Sequence, residues 1–148
     1  MKLAIGSDFV GYELKEGLKP FLLERGLELT DCGPESEEPC DYPVYARKVA
    51  EAVASGTCDL GILICGTGIG MSITANKVRG IRCALAHDVF TSRLARQHND
   101  ANILAMGAWV VSLPHAQQIV AAWLDSRYEG GRHDRRLQQI KELEEECE

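Results

Sequence analysis

Five short apolar runs recur along the chain, KLAIGS (2–7), LELTD (27–31), DLGILIC (59–65), IRCALA (81–86) and ANILAMG (101–107), separated by stretches of helical period. Strands that alternate with helices pair as a parallel sheet, because each right-handed crossover brings the chain back to the edge from which it started, and helices cover both faces. The pattern predicts an α/β fold, one αβα sandwich around a five-stranded parallel sheet. GILIC is apolar at successive positions rather than alternate ones, as a central strand buried on both sides requires. At 148 residues the chain has the length of one domain with a core of its own.

The intervening periods predict helices from Tyr12 to Arg25, broken at Pro20, and from Pro43 to the stop at Gly56. Further helices are expected over Gly70 to Lys77, Val89 to His98, and Pro114 to Arg127, the last with Ile119, Val120, Trp123 and Leu124 as its core stripe. A terminal helix, about 132–147, carries only Leu137, Ile140 and Leu143 as a narrow apolar seam, which suits packing on a second subunit. The Pro- and acid-rich loop 32–43 is expected near the strand ends.

Composition removes several classes of function. A formal net charge of −6 disfavours nonspecific nucleic-acid binding, and no apolar run approaches the ~20 residues of a membrane span. The N-terminal run reads as a first strand rather than a signal peptide, so a cytoplasmic protein is expected. Cys32, Cys40, Cys58, Cys65, Cys83 and Cys147 show no metal-ligand spacing, so free thiols and no metal are expected; a Cys32–Cys40 disulfide is the nearest exception.

The chemistry concentrates in LICGTGIGMS (63–72), where a strand ends in a cysteine and a backbone bare of side chains. In open parallel sheets ligands bind beyond the carboxyl ends of the strands, where the strand order reverses. Gly66, Gly68 and Gly70 allow close approach, and the following helix start offers N–H groups and a positive dipole end, a cradle for an oxyanion or phosphate. The dinucleotide fingerprint fails, since the glycines follow the third strand and Met71 stands in the last glycine's place, and no P-loop lysine is present. Asp88 lies at a ribose-binding distance, which leaves a nucleotide site open. Cys65, facing the helix start, suits a thiolate acting as base or nucleophile, although a buried packing cysteine fits the same pattern.

Asp8, His98 and Asn99 are expected to ring the same sheet edge. Each has a plain structural reading as well: Asp8 as a helix cap, His98 as a dipole-complementing terminal residue, Asn99 as a left-handed cap. Arg132, Arg135 and Arg136 crowd one helix start, where positive charge opposes the dipole. An anion held by Arg132 and Arg136, one turn apart, would relieve that.

Together these segments resemble the type B ribose-5-phosphate isomerases and their galactose-6-phosphate isomerase relatives. GSD near the start, DYP (41–43), GILICGTGIGMSITANK, GIRCA, SRLARQHNDANILAMG and YEGGRHDRR carry the resemblance, in order, along nearly the whole chain. It implies a Rossmann-like homodimer, with tetramers open, whose active sites draw on both subunits and use no metal or cofactor. By that likeness Cys65 moves a proton between carbons 1 and 2 through a cis-enediol(ate), while Thr67 and the N–H groups of Gly66, Gly68, Ile69 and Gly70 stabilise the oxyanion. His98 opens the sugar ring, Asp8 and Asn99 hold sugar oxygens, and Arg132 and Arg136 bind phosphate.

Two positions depart from the family pattern. Phe9 stands where these isomerases usually carry histidine, and Trp109 where they usually carry an arginine at the phosphate end. The expected activity is therefore aldose–ketose isomerisation, by default of ribose 5-phosphate. Tetrose 4-phosphate, allose 6-phosphate and galactose 6-phosphate remain alternatives. A noncatalytic sugar-phosphate or nucleotide-binding module is a further reading, but binding alone requires neither the Cys65 thiol nor the His98 imidazole.

Overall fold

The computed structural model, which describes residues 1–147, contains the expected alternation. Its elements are β1 (Lys2–Ser7), α1 (Tyr12–Glu24), β2 (Glu28–Asp31), α2 (Tyr42–Ala54), β3 (Leu60–Cys65), α3 (Ile69–Ala75), β4 (Cys83–Leu85), α4 (Val89–Asn99), β5 (Ile103–Gly107), α5 (Leu113–Leu124) and α6 (Arg132–Glu146). All strand pairs are parallel, in the order β2-β1-β3-β5-β4. The chain leaves β1 toward β2 on one side and returns to place β3 on the other, so the order reverses between β1 and β3. In open parallel sheets that reversal, beyond the carboxyl ends of the strands, is where ligands bind.

β3 is buried at every position, and its side chains alternate between two cores. Ile62 and Ile64 join Leu14, Leu18 and Leu22 of α1 and Ile119, Val120 and Trp123 of α5. Leu63 and Cys65 point the other way, into Val49 and Val53 of α2 and Met71 and Ala75 of α3. The continuous apolarity of GILIC is thus the consequence of helices on both faces. The loop after β2 does lie at the strand ends, where the Gly33 carbonyl accepts from the Ser7 N–H at 3.0 Å. Buried Lys15 holds it there by donating to Asp31 and to the Pro34 carbonyl.

The expected break in α1 does not occur. Pro20 lies inside one continuous helix, on its exposed face. The Glu16 carbonyl that loses its partner there is on the water side, so the helix continues. α6 buries only His133 among its own residues, while Ile140 and Leu143 stay 50% and 62% exposed. All six cysteines are free thiols.

Candidate active site

Cys65 closes β3 with 5% of its surface exposed, and its Sγ accepts the Gly68 N–H at 3.1 Å. The loop can curl back over the sulfur because Gly68 takes φ +79, in the left-handed region that glycine occupies without strain. Thr67 folds in as well, its Oγ1 accepting from the Ile69 N–H at 3.2 Å.

The glycines have an internal explanation that the sequence does not reveal. A Cβ on Gly66 would stand 2.7 Å from the Trp109 ring, and one on Gly70 would stand 2.5 Å from the Tyr42 ring. The bare backbone therefore lets two aromatic side chains lie on the loop. Trp109 is further fixed by its N–H donating to the Gly66 carbonyl at 3.0 Å, and the Ala108 N–H donates to the Cys65 carbonyl at 2.8 Å. Even so Trp109 is 74% exposed, and Phe9, just past the end of β1, is 37% exposed, so both leave apolar surface at this edge. Asp8 is almost buried beside Phe9; its N–H donates to the Ile64 carbonyl and its Oδ1 accepts from the Gly11 N–H at 2.9 Å. One carboxylate oxygen thus secures the turn ahead of α1, but Asp8 is not the helix N-cap, a position taken by Gly11. Asp8, Phe9, Cys65, Gly66, Thr67, Gly68, Ile69, Gly70 and Trp109 all lie at the carboxyl edge of the sheet, where the strand order reverses.

His87 belongs to this edge and was not picked out from the sequence, where nothing separates it from an ordinary residue between a strand and a helix. Its Nε2 accepts the Gly107 N–H at 3.0 Å, and Gly107 is the register partner of Cys65. The bond requires a neutral imidazole. Burial lowers the pKa of His87 below the ordinary 6.5; His115 adds to the lowering and Asp88 opposes it. A histidine kept neutral by folding contributes stability above its unfolded pKa and loses it as pH falls from 6.5 through the folded value. The melting temperature should therefore fall more steeply between about pH 7 and 5 in the wild type than in His87→Gln. Parallel pH profiles would show that His87 does not couple protonation to this strand end.

His98 and Asn99 do not join the Cys65 edge, contrary to expectation. α4 runs antiparallel to the strands it connects, so its last turn delivers them to the amino edge, just before β5 begins. The Asn102 carbonyl there accepts from the N–H of Gly61, near the start of β3. A strand's length, about 15 Å, separates that edge from Cys65. Nor is Asn99 the left-handed cap: that conformation falls to Asp100, with φ 46, and Asn99 is the last helical residue. Arg132 and Arg136 start α6 on the same side, tied in by the Glu129 N–H, which donates to the Gln97 carbonyl at 3.0 Å. Both are exposed, and Arg136 Nη1 donates to the Arg132 carbonyl. The candidate residues thus fall into two sets at opposite edges, each half of the expected site: a thiol and a backbone cradle at one, and an imidazole, an amide and two guanidinium groups at the other.

Comparison with known proteins agrees with this architecture. The Ribose/Galactose Isomerase family model matches residues 3–140. Ribose-5-phosphate isomerase B of Escherichia coli is 51% identical over 97% of both chains. The solved structure of Clostridium thermocellum ribose-5-phosphate isomerase B superposes with a TM-score of 0.99, at 51% identity over 100% of each chain. A D-erythrulose-4-phosphate isomerase of Pectobacterium atrosepticum is 44% identical, over 88% of this chain and 87% of its own.

Proposed function

The chain belongs to the Ribose/Galactose Isomerase family, and from that premise we propose that it interconverts ribose 5-phosphate and ribulose 5-phosphate without a cofactor. Cys65 acts as the base that carries a proton between carbons 2 and 1 of the open-chain sugar. Thr67 and those N–H groups of the 66–70 loop that are not spent within it, as the Gly68 and Ile69 N–H groups are, face the enediolate oxygen. His98 opens the ring, Asp8 and Asn99 hold sugar oxygens, and Arg132 with Arg136 clamps the phosphate.

The observation that carries this reading is the separation of the two half-sites. A second copy whose amino edge meets the Cys65 edge of the first supplies the missing imidazole and arginines, and a two-fold axis completes both sites at once. Ile69 and Ile73 on α3, 50% and 57% exposed, and Val110, 53% exposed, give the Cys65 edge an apolar border suited to such a partner. The seam of α6 packs on that partner too. Among the described residues no helix is long and apolar enough to cross a membrane, and six free thiols suit a reducing cytoplasm.

A second reading, the same chemistry on a tetrose 4-phosphate, is favoured by the apolar surface of Phe9 and Trp109. Ring chemistry opposes it. In a tetrose 4-phosphate the phosphate occupies the hydroxyl that would close a five-membered ring, so there is no ring for His98 to open. A panel of ribose 5-phosphate, allose 6-phosphate, galactose 6-phosphate and erythrose 4-phosphate, followed by NMR for ketose formation, separates the two. Ribose 5-phosphate should turn over fastest; preferential turnover of the tetrose would make Phe9 and Trp109 the determinants of a shorter substrate.

A further inference from the structure

Resting on the isomerase reading above, we propose that His133 and Glu129 are positioning residues for ring opening by His98. His133 is buried, with 7% of its surface exposed, in the first turn of α6. Its ring stacks on that of His98, with centroids 4.3 Å apart and planes 19° from parallel. Its Nε2 lies 3.7 Å from a carboxylate oxygen of Glu129.

The stack is built by the backbone on both sides. The Glu129 N–H donates to the Gln97 carbonyl, one residue before His98. Gly130 and Gly131, at φ 66 and 59, then turn the chain back so that α6 starts against the end of α4. The Tyr128 hydroxyl donates to Asp134 at 2.7 Å and closes the turn.

One nitrogen of each histidine and one Glu129 oxygen lie within 4.8 Å of one another, a spacing that resembles a metal site. The stacking argues otherwise. A metal lies about 2 Å from each ligating nitrogen and in the plane of its ring, and two nearly parallel planes do not share such a point. The same geometry suits a proton-transfer residue. The His133 face prevents the His98 ring from tilting, so that its nitrogen stays aimed outward at the sugar. Glu129 is placed to balance a positive charge on the stacked pair.

In the step served, the C1–O4 bond breaks with its electron pair passing to O4. His98 in its charged form gives O4 a proton and then takes the proton of the anomeric hydroxyl, leaving an aldehyde at C1 and His98 as it began. Ribulose 5-phosphate is open-chain, because its phosphate occupies the hydroxyl that would close a five-membered ring with C2. Exchange of its C1 proton with solvent therefore requires Cys65 but no ring opening.

The test compares the wild type, His133→Ala, His133→Phe and Glu129→Gln in two assays: turnover of ribose 5-phosphate, and deuterium uptake into ribulose 5-phosphate from D2O. His133→Ala should lower kcat on the cyclic aldose about ten-fold while exchange into the ketose stays within about two-fold, a split that general loss of structure does not produce. His133→Phe, which keeps a flat ring against His98, should recover most of the loss, and Glu129→Gln should show a smaller loss with the same split. Equal losses in both assays, or full aldose turnover in all three variants, would overturn the proposal alone. A wild type inert in both assays would overturn the isomerase reading and the proposal with it.

Discussion

Replacing Cys65 by alanine is expected to lower turnover of ribose 5-phosphate by about 10³-fold, the scale of a lost general base, while binding of an unreactive analogue changes by no more than about two-fold. The thiol is a poor binding group: it is 5% exposed, and its one hydrogen bond is spent on the Gly68 N–H within its own loop. That bond raises a competing explanation, that alanine lets the loop relax. Cys65→Ser separates the two, since a hydroxyl still accepts the Gly68 N–H but is a far weaker base at neutral pH. Both variants should therefore fail alike, in turnover and in solvent deuterium uptake, with melting temperatures close to the wild type. A serine variant near full activity would show that loop shape, not the base, is what the cysteine supplies.

The second large effect is a recovery. Cys65→Ala and His98→Asn, each impaired alone on cyclic ribose 5-phosphate, should regain activity when mixed, partially unfolded and refolded together. If each site takes Cys65 from one copy and His98 from the other, a hybrid dimer has one site with both residues intact and one with neither. Random pairing makes about half of the dimers hybrid, so recovery should approach about a quarter of wild-type activity. The opposite edges of the sheet occupied by Cys65 and His98 motivate the number. Activity that stays at the average of the two separate variants would mean that both residues serve the same chain's site.

The strands were legible because burial on both faces removes every reason for polar residues: Leu60 to Cys65 are buried at each position and apolar except for Gly61. Glu28 to Asp31, in an edge strand, were legible only as the short run LELTD between two helices, and the structure leaves all but Leu29 exposed. Pro20 was read as a break because propensity is local; its exposed position, which makes the lost hydrogen bond tolerable, is a property of the packed molecule. The reason for Gly66 and Gly70 was hidden for the same cause, since Trp109 and Tyr42 lie far along the chain from the backbones they cover.

What the sequence determined by itself was the set of parts: five strands, the thiol at the end of the third, the glycine cradle after it, and the histidine and arginines that mark the family. Hydrophobic period and local motif are carried by neighbouring residues, so one chain read in order suffices for them. What only the tertiary structure decided was which parts face one another. Because a helix returning between parallel strands must run against them, Cys65 at a strand's end and His98 at a helix's end fall on opposite edges. His98 meets His133 instead, through a turn whose two left-handed glycines set the direction of the last helix.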